Sequence, residues 1–320
     1  MISPNRRFPH AISSQNKGEK KAFMANILIT EQIDPVGPAL LEQAGHTITW
    51  MKTRTPEELA EKSKDAEAIV VRILDIPAEI IRNAPKLKLI SKHGVGLDNI
   101  DLDAAKKSGV AVTITPGANS LSVAEHAVAM LLSLAKSLPY VTEQYRTKGF
   151  SAKNSPPGVE VSGKTLGIIG CGRIGSRVAK IAADGFSMRV LVYDPYLTEA
   201  PEGVELVSDR DRIFRESDFI TLHPVLNQET HHSVGKHEFQ LMKPTAFLIN
   251  CGRGPLIDEP VMIQALQSGK IAGAGLDVTE KEPCDPESPL FRMPNVILRP
   301  ILPRPRMKPV RAFRKSRRKM

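Results

Sequence analysis

The chain has 320 residues, with 44 Lys and Arg against 35 Asp and Glu, for a formal net charge of +9. That length suits two domains of ordinary size, and 41% hydrophobic with 25% charged residues excludes disorder throughout and collagen-like repeats. No apolar run approaches the roughly 18 residues of a membrane-spanning helix, so no membrane partner is expected.

Residues 1–23 carry five basic groups against Glu19 and are rich in Ser, Asn and Pro. They read as a disordered extension, and no apolar stretch of about 7–15 residues follows the basic ones as a secretory signal requires. From Met24 short apolar runs alternate with amphipathic segments. Ile27–Thr30 reads as a strand, Pro35–Gly45 as a helix stopped by glycine, and Ala68–Arg72 and Leu87–His93 as strands around a helix Pro77–Ala84. Val110–Thr113 is another short strand. The alternation predicts an α/β domain over 24–120 with a parallel sheet. Ser120–Lys136 is a long helix whose Val123, Ala127, Met130, Leu131 and Leu134 face a core. Ser151–Gly163, rich in Ser, Pro and Gly, reads as a surface loop. A second alternation, over 121–298, has strands at Thr165–Gly170, Arg189–Asp194, Phe219–His223, Ala246–Asn250 and Ala274–Val278. The fold class is therefore α/β, with two doubly wound parallel-sheet domains. Residues 299–320 hold ten basic residues and no acid. They read as an unstructured Pro-containing tail, and nucleic acid is expected as a partner only through it. The stretch between the two basic ends is mildly acidic.

Gly170-Cys171-Gly172-Arg173-Ile174-Gly175 fits the G-x-G-x-x-G pattern. It follows the apolar strand Leu166–Ile169 and opens a helix through Val178–Ala182, and Asp194 ends the next strand 19 residues after Gly175. That context predicts a dinucleotide site. Gly170 allows the tight turn, Gly172 lets the backbone approach a pyrophosphate, and Gly175 lets helix and strand pack closely. Asp194 accepts from ribose hydroxyls and repels a 2′-phosphate, which favours NAD over NADP.

Four further stretches join this motif: Lys92-His93-Gly94-Val95-Gly96-Leu97-Asp98-Asn99-Ile100-Asp101, Thr115-Pro116-Gly117-Ala118-Asn119-Ser120, Asn250-Cys251-Gly252-Arg253-Gly254, and Gly275 to Pro283. With them the chain resembles the D-2-hydroxyacid dehydrogenase family, in particular its phosphoglycerate dehydrogenase and hydroxypyruvate reductase members. The resemblance implies a substrate domain and a Rossmann NAD-binding domain with the active site in the cleft between them, acting on a small 2-hydroxy or 2-keto acid. Reducing such an acid needs a cation for its carboxylate and keto oxygen, a proton donor, and a nicotinamide within hydride reach. The resemblance assigns the cation to Arg253 and makes Glu282 the partner of the catalytic His. Val95 and Gly96 present backbone N–H groups to the substrate carboxylate, with Asn119, Arg72 and Lys92 as further substrate-binding residues. Arg173, Ile174, Cys251 and Asp277 join Gly170, Gly172, Gly175 and Asp194 on the cofactor side. The resemblance also implies a homodimer.

The pattern breaks near residue 298. After Asn295–Leu298 the family places a Pro-His pair and a closing helix; here Arg299-Pro300-Ile301 puts Ile301 where the His belongs, and Pro303, Pro305 and Pro309 break any helix. The simultaneous change in composition suggests a shifted reading frame near codon 299. Two alternatives to an active dehydrogenase stay open: an NAD-binding, corepressor-like module without catalysis, and a tail-driven nucleic-acid binder. Cys171, Cys251 and Cys284 are far apart in sequence and form no CxxC pair, which suits reduced thiols in the cytoplasm. No metal-ligand spacing stands out.

Overall fold

The computed structural model describes residues 24–155 and 158–299. The chain divides into two compact units. One runs from the start of the described residues to Lys92 and includes Asn99–Thr113; the other takes His93–Asp98 and everything from Ile114.

The first unit alternates β1 (Asn26–Ile29), α1 (Val36–Gln43), β2 (Thr47–Trp50), α2 (Pro56–Ser63), β3 (Ala68–Val71), α3 (Ala78–Arg82), β4 (Leu89–Lys92), α4 (Leu102–Lys107) and β5 (Ala111–Thr113). Its sheet is parallel throughout, in the order β2-β1-β3-β4-β5, the flavodoxin-like doubly wound arrangement. Ile27 and Ile29 of β1 are buried with Leu41, Ile48, Trp50 and Val70 packed against them.

The second unit begins with α5 (Ser120–Ala135) and α6 (Leu138–Lys148). It continues through β6 (Thr165–Ile169), α7 (Gly175–Lys180), β7 (Arg189–Tyr193), β8 (Glu205–Leu206), α8 (Arg210–Glu216), β9 (Phe219–Leu222), α9 (Lys236–Leu241), β10 (Phe247–Asn250), α10 (Glu259–Gln267), β11 (Gly273–Leu276) and β12 (Val296–Leu298). The seven parallel strands run β12-β11-β10-β9-β6-β7-β8. This is the dinucleotide-binding order 3-2-1-4-5-6 with one strand added, and the order reverses between β6 and β9. Every residue of β6, β9 and β11 is buried, as expected for central parallel strands covered on both faces. Val178 and Ala179 of α7 join Met130, Leu131 and Leu134 of α5 in one apolar layer. Phe214, Phe239, Met262 and Leu266 from α8, α9 and α10 form another.

The predicted strands are found within one or two residues of their expected ends. The predicted loop over 151–163 is partly tied down. Residues 149–154 form a short 3-10 turn, Val159 N bonds Ala135 O, and Ala152 and Val161 are buried. No single helix among the described residues is long and apolar enough to cross a membrane; α5 and the segment after it pass such a test only jointly and are bent by 52°. Ile301, the basic tail beyond Arg299 and the span where no closing helix is expected lie outside the described residues, as does the extension 1–23.

Candidate active site

The turn after β6 sets the cofactor end. Gly170 has φ +86, and a Cβ there would lie 2.7 Å from the carbonyl carbon of His223 at the end of β9, so the turn is wedged at the point where strand order reverses. A Cβ on Gly175 would approach Gly170 O to 2.2 Å. At Gly172 nothing lies within 4 Å, leaving the open space that a pyrophosphate needs. Ile174 precedes α7 without a side-chain cap, so the first turn is free to take a phosphate in that role. The predicted helix through Ala182 is found, with residues 181–185 widening into a π turn. Arg173 is exposed beside the turn, its Cδ 3.9 Å from the Cβ position of Gly117.

Asp194 sits immediately past β7. Its carboxylate accepts from Cys171 N at 2.8 Å and Tyr196 N at 2.9 Å, tying the glycine turn to the neighbouring strand while keeping lone pairs for ribose hydroxyls. These residues fit a dinucleotide. His223, expected from the sequence only as the end of a strand, is half-buried, and desolvation holds its imidazole down to about 4. Its Nε2 meets Thr221 Oγ1 at 3.0 Å, while Nδ1 has no partner.

The second half of the site hangs on β10. Asn250 is fully buried, and its side chain accepts from Gly252 N and donates to Arg253 O, which fixes the loop leaving the strand. From that loop Arg253 donates through Nε to Asp98 Oδ1 at 3.1 Å and Oδ2 at 3.2 Å. Its guanidinium lies over Gly96 so closely that a Cβ there would fall 1.7 Å from Nη2. Arg253 and Gly96 therefore meet, and Val95 is the residue before that glycine. Asp98 was legible only as part of a motif, because its partner is 155 positions away.

The loop after β11 carries the remaining groups. A Cβ on Gly254 would meet Thr279 O at 1.8 Å, so the Arg253 loop and this one touch backbone to backbone. His232 Nε2 lies 2.7 Å from Glu280 Oε1, and Glu280 and Glu259 exchange backbone-to-carboxylate hydrogen bonds. Glu282, two residues on, is exposed. Asp277 is pushed up to about 6, first by burial; Arg299 works against that shift and Glu282 adds to it. Burial raises the Cys251 thiol, and Asp277 reinforces it. Arg299 bonds back to Leu276 O, extending the β11–β12 ladder by one residue, and its Nη1 meets His126 Nδ1 at 3.0 Å.

Asn119 stands exposed at the start of α5, its side chain not capping the helix. Lys92 ends β4 and pairs in register with Val71 of β3, and Arg72 is the next residue after that strand. Lys92 is buried and donates to Asn99 Oδ1. Glu31 fixes the loop after β3 by accepting from the N–H groups of Arg72, Ile73 and Leu74.

A seven-stranded parallel sheet with a glycine turn at its reversal point and an acid closing the next strand defines a dinucleotide-binding protein of the Rossmann class. The comparisons narrow the class. The NAD binding domain of the D-isomer specific 2-hydroxyacid dehydrogenases matches residues 128–302, and the catalytic domain of the same family matches 27–153. D-3-phosphoglycerate dehydrogenase of Methanocaldococcus jannaschii is 42% identical over 278 residues, which cover 86% of this chain and 52% of that protein. Glyoxylate reductase of Thermococcus litoralis is 40% identical over 287 residues, covering 86% of both. The crystal structure of TT0316 protein from Thermus thermophilus superposes with a TM-score of 0.79 at 33% identity, over 86% of this chain and 88% of that one. The chain belongs to the D-isomer specific 2-hydroxyacid dehydrogenase family, and its second unit is the family's NAD-binding domain. It spans about half the length of the phosphoglycerate dehydrogenase and most of the glyoxylate reductase.

Proposed function

We propose that the chain transfers a hydride between NAD(H) and C2 of a small 2-hydroxy or 2-keto acid of the 3-phosphoglycerate, hydroxypyruvate or glyoxylate type. We further propose that it turns over slowly, because Ile301 stands where the family resemblance places the proton-donating His. The observation that carries the reading is the Arg253 guanidinium, held by Asp98 against the Gly96 backbone.

When bound, NAD(H) supplies or takes up the hydride. Arg253 grips the substrate carboxylate and polarises the keto oxygen, a task that suits its planar fork. Val95 and Gly96 offer backbone donors to the same carboxylate, and Arg72 and Lys92 serve the far end of a longer substrate. Reduction also consumes one proton at the keto oxygen. With Ile301 in the sequence place of that His, no imidazole is there to donate it, so water supplies it, and the loss relative to a positioned acid is roughly 10²–10⁴ in kcat. The second reading, an NAD-binding module without catalysis, draws on the same Ile301.

The test is NADH fluorescence titration together with NADH oxidation by hydroxypyruvate and glyoxylate. Tight NADH binding with slow turnover that vanishes in Arg253→Ala supports the dehydrogenase. Binding without any turnover supports the module, and failure to bind NADH sinks both. The proposal extends to a homodimer: α6 has no buried residue, and Leu138, Tyr145 and Phe150 on and after it are exposed. A cytoplasmic location is proposed because all three cysteines carry free thiols.

A further inference from the structure

Three side chains that no sequence spacing connects converge where α5, β10 and β11 meet. His126 comes from the second turn of α5, Cys251 from the first residue after β10, and Asp277 from the first residue after β11. One ligand atom from each lies within 4.8 Å of the other two. Cys251 and Asp277 are buried and His126 half-buried, so this is not an open acidic surface. His126 Nε2 is buried yet has no hydrogen-bond partner. Its neighbour Asp277 Oδ1 lies 3.4 Å away without the geometry of a hydrogen bond.

We propose that His126, Cys251 and Asp277 form a site for a borderline divalent cation of the Zn²⁺ or Co²⁺ type, and that such a cation weakens NADH binding. Zinc takes imidazole nitrogen at about 2.0–2.1 Å, carboxylate oxygen at about 2.0–2.2 Å and thiolate at about 2.3 Å. A tetrahedron of those bonds has nitrogen–oxygen edges of about 3.3–3.5 Å and edges to sulfur of about 3.6 Å. The observed 3.4 Å between His126 Nε2 and Asp277 Oδ1 is already such an edge. The sulfur, no more than 4.8 Å from either, needs to close by about 1.2 Å at most. One thiolate, one imidazole and one carboxylate make a set that suits zinc and cobalt and not calcium or magnesium, with a fourth position left for water.

Loading balances as follows. Cys251 gives up its thiol proton to solvent as the sulfur–metal bond forms. The ring proton of His126 moves from Nε2 to Nδ1. Arg299, exposed and now donating to Nδ1, swings away. One positive charge leaves as a proton while two arrive, and the carboxylate of Asp277 and the new thiolate neutralise them. Cys251 and Asp277 are also the residues assigned above to the cofactor, so ion and cofactor compete for them. That competition rests on the cofactor reading, whereas the cation site does not.

The test uses Co²⁺ on the full chain under reducing conditions. One Co²⁺ per chain is expected, with a sulfur-to-cobalt charge-transfer band in the near ultraviolet that disappears in Cys251→Ser and persists in Cys171→Ser. His126→Asn and Asp277→Asn, each nearly isosteric and checked by circular dichroism, should weaken Co²⁺ binding at least tenfold. Absence of the band, or a band that survives Cys251→Ser, overturns the site, as does unchanged affinity in both other variants. Saturating Zn²⁺ should raise the Kd for NADH at least tenfold in the wild type and not in Cys251→Ser; an unchanged Kd overturns the antagonism. If the metal-free chain fails to bind NADH at all, the cofactor reading falls and the cobalt band still decides the site.

Discussion

Arg253 matters through the shape of its guanidinium as much as its charge. Two of its nitrogens are committed, Nε to Asp98 and Nη1 to Gly252 O, and the remaining one lies over Gly96. Lysine keeps the charge without the fork. Arg253→Lys should therefore lower kcat/KM for hydroxypyruvate by roughly 10² while the Kd for NADH stays within twofold, as steady-state kinetics and fluorescence titration will show. Asp98→Asn removes the charge that aims the guanidinium and should cost roughly tenfold in kcat/KM, mostly in KM. The glycine-rich sequence around residue 253 announced the arginine. It did not announce Asp98, nor the buried Asn250 that locks the loop, because both act through tertiary contacts that a linear pattern does not encode.

The elements around the site depend on close backbone approach. Gly175→Ala would drive a Cβ to 2.2 Å from Gly170 O, where backbone must shift because no flexible side chain can yield. It should abolish measurable NADH binding and lower the unfolding midpoint. Gly254→Ala would separate the two loops that carry Arg253 and Glu282. Turnover should fall while NADH binding survives, a split that kcat and Kd measured side by side will reveal. Dense apolar runs make most of the strands legible in the sequence, whereas β2, β8, α2, α4, α6, α8, α9 and α10 are not among the expected elements. The start of α2 was legible all the same: Thr55 caps it by accepting from Glu58 N, Pro56 opens it, and Glu58 accepts from the N–H groups of Lys52, Thr53 and Arg54. Its Leu59 alone points inward with Ser63, too sparse a stripe to stand out by periodicity.

Across the whole molecule two desolvated groups, half-buried His223 and buried Asp277, give opposing pH dependences. His223 titrates at about 4 when folded against an ordinary 6.5, so the unfolded chain binds more protons between those values, and this group's contribution is lost as pH falls from 6.5 to 4. Asp277 titrates at about 6 when folded against 3.8, so the folded chain binds more protons in that window, and its contribution is lost as pH rises from 3.8 to 6. Each variant removes one slope. Denaturant unfolding of Asp277→Asn should lose more stability than the wild type on acidification from pH 6 to 4, and His223→Gln should lose less. The proposed dimer belongs to this scale too: light scattering should show two copies, and Tyr145→Glu combined with Phe150→Glu should give a monomer that keeps its circular dichroism.

The sequence alone determined the two α/β units, the parallel sheets and the glycine turn, because these follow from local periodicity and from conformations that glycine readily adopts. It also supplied Arg253, Asp194 and the break at Ile301. Tertiary structure decided which partners those residues have. Asp98 reaches Arg253, Asp194 ties the glycine turn to β7, and His126 joins Cys251 and Asp277. Neighbouring strand ends set side by side make the Cys171–Asp194 and Cys251–Asp277 pairings, and strand order is a property of the packed sheet that no local segment carries.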